Sequence, residues 1–98
     1  MQLHVDQYQL AQICKKHQAD YLGVFGSTVR EEARPDSDID LLVRFSPDSK
    51  AGLFELSRMR DDLEKLLDKK VDLLTEGFLS KYFKDEVLAE VEDIYVKT

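Results

Sequence analysis

The chain has 98 residues, of which 43% are hydrophobic and 35% charged, and this balance is typical of one globular domain over residues 1–98. The formal charge of -6 argues against direct binding to nucleic acid, because phosphate neutralisation requires clustered Lys and Arg. The single Cys14 excludes an internal disulfide, and no apolar run is long enough to span a membrane, so we expect a cytoplasmic protein without a membrane partner.

Apolar periodicity predicts helices that alternate with strands. In chain order, it predicts a helix in "VDQYQLAQICKKHQA", a buried strand in "YLGVFG", a short helix in "STVREEA" and a strand in "DIDLLVRF". A loop then leads to the clearest helix, "LFELSRMRDDLEKLLDKK". A strand in "KVDLLTE", a last helix in "SKYFKDEVLAEVED" and an edge strand at "IYV" complete the chain. This order indicates an α/β fold of the α+β type, with a mixed sheet of three to four strands packed with helices.

Three aspartates interrupt apolar strands: Asp38 and Asp40 in "DIDLLVRF", and Asp72 in "KVDLLTE". Because strand side chains alternate, Asp38 and Asp40 point to one side, with α-carbons roughly 6.5–7 Å apart. Both carboxylates can then reach one cation such as Mg²⁺, and three converging carboxylates would support two metal ions about 3.5–4 Å apart. The alternative for each aspartate alone is the end of a loop, since "PDSD" also matches turn chemistry.

A glycine-serine turn precedes these aspartates. Gly26 lacks a side chain, so a ligand can approach its backbone closely. Ser27 offers a hydroxyl and a backbone N–H at the start of the predicted short helix, where phosphate is favoured, and Arg30 lies one turn further along. The alternative is an ordinary strand-to-helix turn, with Ser27 or Thr28 as N-cap and Arg30 in solvent.

These residues together resemble a known family. Gly26-Ser27, ten further residues and Asp38-Ile39-Asp40, with Asp72 as the third carboxylate, form the pattern of the DNA polymerase β-like nucleotidyltransferase superfamily. The small size and the segments "EARPDSDIDLLV" and "LEKLLDKKVDLLT" look most like its minimal members, the MNT domains. The resemblance covers about residues 20 to 76 and implies the polymerase β-like fold.

The resemblance implies a reaction: a nucleoside monophosphate passes from a nucleoside triphosphate to an acceptor hydroxyl, and pyrophosphate leaves. It implies that Asp38 and Asp40 bind two Mg²⁺ ions. Asp72 would complete the site of the ion that activates the acceptor hydroxyl.

The resemblance also implies a nucleotide site, in which Gly26 and Ser27 cradle the triphosphate of ATP and Arg30 adds a phosphate contact. The chain departs from the family at two neighbouring positions. Family members often have an aromatic residue or Arg after the serine and a Gly after the arginine, where this chain has Thr28 and Glu31.

MNT domains are known as partners of HEPN proteins, which are helical toxins. The resemblance therefore implies an antitoxin that transfers AMP from ATP to a hydroxyl of a HEPN toxin, typically on a tyrosine. Two alternatives stay open. One is a non-catalytic antitoxin that neutralises its partner by complex formation, and the other is a nucleotidyltransferase that acts on a small molecule or RNA. The three intact aspartates disfavour the first, and the acidic charge disfavours the second.

Two further residues have simpler interpretations. Cys14 lies on the apolar stripe of the first helix and is expected to be a core thiol rather than a nucleophile. His17 lies at the edge of the same stripe, and without a second His or Cys at ligand spacing we expect no zinc site there.

Overall fold

The computed structural model describes residues 5–29, 38–79 and 81–97. Within these ranges the chain forms three α-helices and four strands, with short 3₁₀ turns at Gly26–Thr28 and Glu76–Phe78. In chain order the elements are α1 (Gln7–Lys16), β1 (Ala19–Phe25), β2 (Ile39–Phe45), α2 (Leu53–Leu67), β3 (Val71–Leu74), α3 (Lys81–Glu90) and β4 (Glu92–Val96). No helix in these ranges is long and apolar enough to cross a membrane.

The four strands form one mixed sheet in the order β3-β2-β1-β4. β1 is antiparallel to both β2 and β4, whereas β2 and β3 are parallel. The parallel pair β2 and β3 is joined by a crossover through α2, because parallel neighbours require a long connection. The predicted α+β class, the mixed sheet and the edge position of β4 are therefore confirmed.

Helices cover the two faces of the sheet unequally. α1 and α2 pack on one face, where the core consists of buried residues from helices and strands, including Leu10, Cys14, Leu22, Val24, Leu41, Met59, Leu63 and Leu73. The opposite face carries a smaller cluster, Phe25, Leu42 and Val87, in which Val87 comes from α3. Alternation along a strand explains the division, since consecutive residues Leu41 and Leu42 belong to different clusters.

A side chain caps the start of the first helix. Asp6 is the N-cap, and its carboxylate accepts hydrogen bonds from the backbone N–H groups of Tyr8 (2.9 Å) and Gln9 (3.1 Å). Such caps satisfy N–H groups that have no partner within the helix. The second helix ends at Asp68 in a left-handed conformation, with φ of 53°.

The helices end earlier than predicted: the first ends at Lys16 rather than Ala19, and the second at Leu67 rather than Lys70. The last helix was expected to continue to Asp93, but it ends at Glu90. Glu92 instead pairs with Val24 of β1, so β4 begins two residues earlier than the "IYV" segment. Pairing with an existing strand satisfies backbone groups that a longer helix would leave at its end.

The short helix predicted in "STVREEA" falls mostly outside the described residues. At its start the chain forms the 3₁₀ turn Gly26–Thr28, closed by a bond from the Val29 N–H to the Gly26 carbonyl. Arg30 and the residues up to 37 lie outside the described part of the chain.

Candidate active site

The aspartates lie at the end of the sheet where β2 and β3 begin and β1 ends. Asp40 is in register with Asp72 of the parallel strand β3, and on its other side it is in register with Phe25. Neighbouring strands lie about 4.8 Å apart, so the backbones of the two aspartates are adjacent. Leu42 and Leu74, two residues further along each strand, belong to the α3 face. By alternation, Asp40 and Asp72 project from that same face.

Asp38 directly precedes β2, two residues before Asp40. It is exposed, as is Asp72, whereas Asp40 is half-buried. The structure therefore brings the backbones of all three predicted aspartates to one end of the sheet. A loop end, the alternative interpretation, describes Asp38 but neither Asp40 nor Asp72, because both of these lie within strands.

Two hydrogen bonds fix the start of β3, one from β2 and one to α2. The Ile39 N–H donates to the Lys70 carbonyl at 2.9 Å, immediately before the paired aspartates. The Val71 N–H donates at 2.9 Å to the Glu64 carboxylate, which reaches across from α2. Because a shift of one residue would turn Asp72 to the opposite face, these contacts hold it beside Asp40.

The donor set fits a divalent cation in chemistry and in strand register. Carboxylate oxygens are the ligands that Mg²⁺ prefers, and Asp40 and Asp72 present theirs from neighbouring positions. The side chains as placed do not enclose an ion. Within residues 5–29, 38–79 and 81–97, no three His, Cys, Asp or Glu side chains are arranged to hold a metal. Any ion would thus have to draw the exposed Asp72 and Asp38 carboxylates together.

Gly26 lies directly against the carboxylate of Asp40. Its φ is +74°, a conformation that L side chains rarely adopt. A Cβ at this position would overlap Asp40 Oδ2. Glycine is therefore required twice here, once for the backbone angle and once for the close approach of the aspartate. The turn therefore requires Gly26 whether or not a ligand is bound.

The Gly26 N–H donates to Glu90 Oε1 at 3.0 Å, in a partly buried contact between residues 64 apart in the chain. Glu90 was not among the site residues predicted from the sequence. The last helix was predicted to continue to Asp93, so the sequence pattern placed Glu90 within a helix rather than at its end.

The remaining residues of the predicted nucleotide site are only partly described. Ser27 lies in the 3₁₀ turn beside Gly26, and Thr28 ends that turn half-buried. Arg30 lies outside the described residues, so its phosphate contact stays a prediction.

Cys14 and His17 lie among α1, α2 and the sheet, away from the aspartates. Cys14 is fully buried, and burial raises the pKa of its thiol to about 12, as expected of a core residue rather than a nucleophile. His17 is buried as well, and its two ring nitrogens lie 2.5 Å from Glu55 Oε2 and 2.7 Å from Asp62 Oδ2. Both contacts are hydrogen bonds only when both nitrogens carry a proton. The sequence analysis missed these two partners because both lie on another helix.

Comparisons with known proteins identify the family of this chain. A family model described as the nucleotidyltransferase domain matches residues 8–94. The protein adenylyltransferase MntA of Thermococcus cleftensis is 41% identical over 75 residues, which cover 76% of this chain and 72% of that protein. MJ0435 of Methanocaldococcus jannaschii, provisionally named a protein adenylyltransferase, is 38% identical over 82 residues, covering 84% of this chain and 86% of that protein.

Solved structures share the fold. One provisionally described as a minimal nucleotidyltransferase has a TM-score of 0.74 at 37% identity and covers 88% of this chain and 86% of its own. A toxin–antitoxin structure with AMP-PNP has a TM-score of 0.75 at 17% identity, covering 96% and 76%. A complex of tri-AMPylated Shewanella oneidensis HEPN toxin with MNT antitoxin has a TM-score of 0.65 at 16% identity, covering 93% and 70%. The chain therefore belongs to the nucleotidyltransferase domain family, as a minimal nucleotidyltransferase of the MNT type.

Proposed function

We propose that this chain, as one domain over residues 1–98, is a Mg²⁺-dependent protein adenylyltransferase. It transfers AMP from ATP to a hydroxyl, favouring a tyrosine, of a HEPN-type toxin and thereby acts as its antitoxin. The observation that carries the proposal is the register of Asp40 with Asp72 beside the glycine turn at Gly26. Two carboxylates on adjacent strand positions repel each other, and a cation bound by both would relieve that repulsion.

In the proposed reaction, the acceptor oxygen forms a bond to the α-phosphorus of ATP. The bond between that phosphorus and the oxygen of the departing pyrophosphate breaks, and the acceptor proton passes to the Asp72 carboxylate. Asp72 suits this role because it is exposed at the open end of its strand. Asp40 is held in place by its contact with Gly26, so it would fix the position of the reacting phosphate.

Asp38, Asp40 and Asp72 are the residues that would hold two Mg²⁺ ions. When bound, such ions polarise the transferred phosphoryl group and the acceptor hydroxyl. Gly26 and Ser27 would hold the triphosphate through their backbone N–H groups, with Arg30 as an additional contact.

Two kinds of support favour a protein acceptor. Relatives above 30% identity are named protein adenylyltransferases, and structural neighbours are toxin–antitoxin complexes, one with AMP-PNP and one with an AMPylated HEPN toxin. The acidic charge of -6 disfavours an RNA acceptor, because two polyanions repel.

The test is intact-mass spectrometry of the protein encoded beside this chain, after co-expression of the two. The wild type is compared with Asp40→Asn, and with Asp48→Asn as a matched control. Asp48 is exposed in the loop after β2, at the opposite end of that strand from Asp40. Mass added in whole AMP units with the wild type and the control, but not with Asp40→Asn, would establish the reaction.

Other results point to the alternatives. A partner that binds tightly to all three proteins and never gains mass would favour a non-catalytic antitoxin. Wild-type consumption of ATP without partner binding would favour a small-molecule or RNA acceptor. Peptide mapping of the modified protein then tests the tyrosine preference, which would be wrong if AMP were found on another side chain.

A further inference from the structure

A carboxylate accepts a hydrogen bond from one of the donors of the predicted nucleotide site. The Gly26 N–H belongs to the turn that would receive the triphosphate, yet in this structure it donates to Glu90 Oε1 at 3.0 Å. Hydrogen bonds from N–H groups to carboxylates are charge-assisted and stronger than those between neutral groups. The contact is also partly buried, which reduces its competition with water.

Chain neighbours on both sides of Glu90 hold its backbone close to Gly26. Three residues before Glu90, Val87 is buried against Phe25, the residue that precedes Gly26. Two residues after Glu90, Glu92 pairs with β1. The end of α3 therefore lies over the end of β1 and cannot move away as a rigid unit without breaking the sheet. The Glu90 side chain itself is only partly buried, so part of it lies in solvent.

Glu90 and a nucleotide would compete for the same group. One N–H makes one good hydrogen bond, and a carboxylate next to a triphosphate adds repulsion between like charges. Asp40 already places a second carboxylate against Gly26. An incoming phosphate would thus meet two carboxylates at this glycine. Asp40 can share a cation with the phosphate, whereas Glu90 already accepts the hydrogen bond from the Gly26 N–H.

We propose that Glu90 is a positioning residue that sets nucleotide affinity: its carboxylate holds the Gly26 N–H in the free protein and leaves it when ATP binds. The inference rests on the proposed function, since it assumes that phosphate binds at Gly26. In the free protein Glu90 satisfies a turn that would otherwise expose its donor. On binding, ATP must replace that bond, so Glu90 stabilises the empty site at the expense of affinity.

The experiment is isothermal titration calorimetry of ATP with Mg²⁺ into four proteins: wild type, Glu90→Gln, Glu90→Ala and the control Glu86→Gln. Glu86 is exposed on the same helix, one turn earlier, and its substitution makes the same change in net charge. We expect Glu90→Gln to bind ATP roughly three- to tenfold more tightly than wild type, because a neutral acceptor holds the N–H less strongly. Glu90→Ala should bind more tightly still, and Glu86→Gln should match the wild type.

Thermal unfolding without ligand provides the second measurement and a check on folding. The proposal expects opposite trends: Glu90→Ala unfolds at a lower temperature than wild type but binds ATP more tightly. A lower melting temperature combined with weaker ATP binding would overturn the proposal, since Glu90 would then only support the turn. Equal ATP affinity of wild type and both variants would overturn it as well, while leaving the proposed function intact. Failure of all four folded proteins to bind ATP would refute both.

Discussion

Replacing Gly26 by alanine should destabilise the protein through two separable effects. The backbone φ of +74° costs an L residue about 1–2 kcal/mol. The new Cβ would overlap Asp40 Oδ2, and forcing that side chain off its rotamer adds about 0.5–1.5 kcal/mol. We therefore expect the free energy of unfolding to fall by roughly 1.5–3.5 kcal/mol in total, equivalent to a melting temperature on the order of 10–20 °C lower for a domain of this size.

Thermal and urea unfolding of Gly26→Ala measure this loss, and Gly77→Ala is the matched control. Gly77 has an ordinary backbone angle, and a Cβ there would come no closer than 3.9 Å to Thr75 Oγ1. Its substitution should be neutral or stabilise by about 0.4–1 kcal/mol. Unfolding of Gly26→Ala at the wild-type temperature would refute both the left-handed backbone and the close approach of Asp40.

A double-mutant cycle separates the two effects. Asp40→Ala removes Oδ2 and the carboxyl carbon, the two atoms nearest to the added Cβ. In that background Gly26→Ala should retain only the backbone cost of about 1–2 kcal/mol. If Gly26→Ala destabilises equally with and without the Asp40 carboxylate, the contact between them contributes nothing.

Three further predictions concern other contacts. Asp72→Asn should raise the melting temperature in EDTA by a few degrees, because it removes a charge that repels Asp40 in the neighbouring strand. Relief of this repulsion is worth about 0.2–1 kcal/mol. An unchanged or lower melting temperature would contradict the prediction. Glu64→Ala should lower the free energy of unfolding by roughly 1–3 kcal/mol, because it leaves the first N–H of β3 without its acceptor, and urea unfolding measures the loss. The hydrogen bond from His17 holds the pKa of Asp62 below its usual 3.8, although burial opposes the shift. The stabilisation by this hydrogen bond is thus present above that pH and is lost as the pH falls through the lowered pKa. The difference in melting temperature between wild type and Asp62→Asn should therefore shrink below about pH 3.8. A difference that stays constant with pH would disprove the coupling.

Local sequence patterns were sufficient for the four strands, for the three α-helices apart from their ends, and for the strand positions of Asp40 and Asp72. Alternation in "DIDLLVRF" placed Asp38 and Asp40 on one side of a strand, and the flanking Val71 and Leu73 did the same for Asp72. These predictions depend only on the period of a strand. The pairing of β2 with β3 could not be read in the same way, because it joins Asp40 to Asp72 from strands that the whole of α2 separates in the chain.

The contacts that local patterns did not reveal all join residues distant in sequence. Glu90 lies 64 residues from Gly26, and His17 lies 38 residues from Glu55 and 45 from Asp62. A charged side chain looks solvated in a sequence unless its partner is known, so nothing local distinguished these from ordinary surface charges. The end of α3 was misplaced for the same reason, since pairing with β1 decides where β4 begins.

The position of β3 at the edge of the sheet has a consequence for the size of the acceptor. β3 pairs with β2 alone, and in the described residues no strand lies on its outer side. Asp72 is therefore on an edge strand, and it is exposed there. Among the described residues no side chain buries the Asp72 carboxylate, so the proposed acceptor hydroxyl could approach it on the surface of a large folded protein without unfolding of that protein.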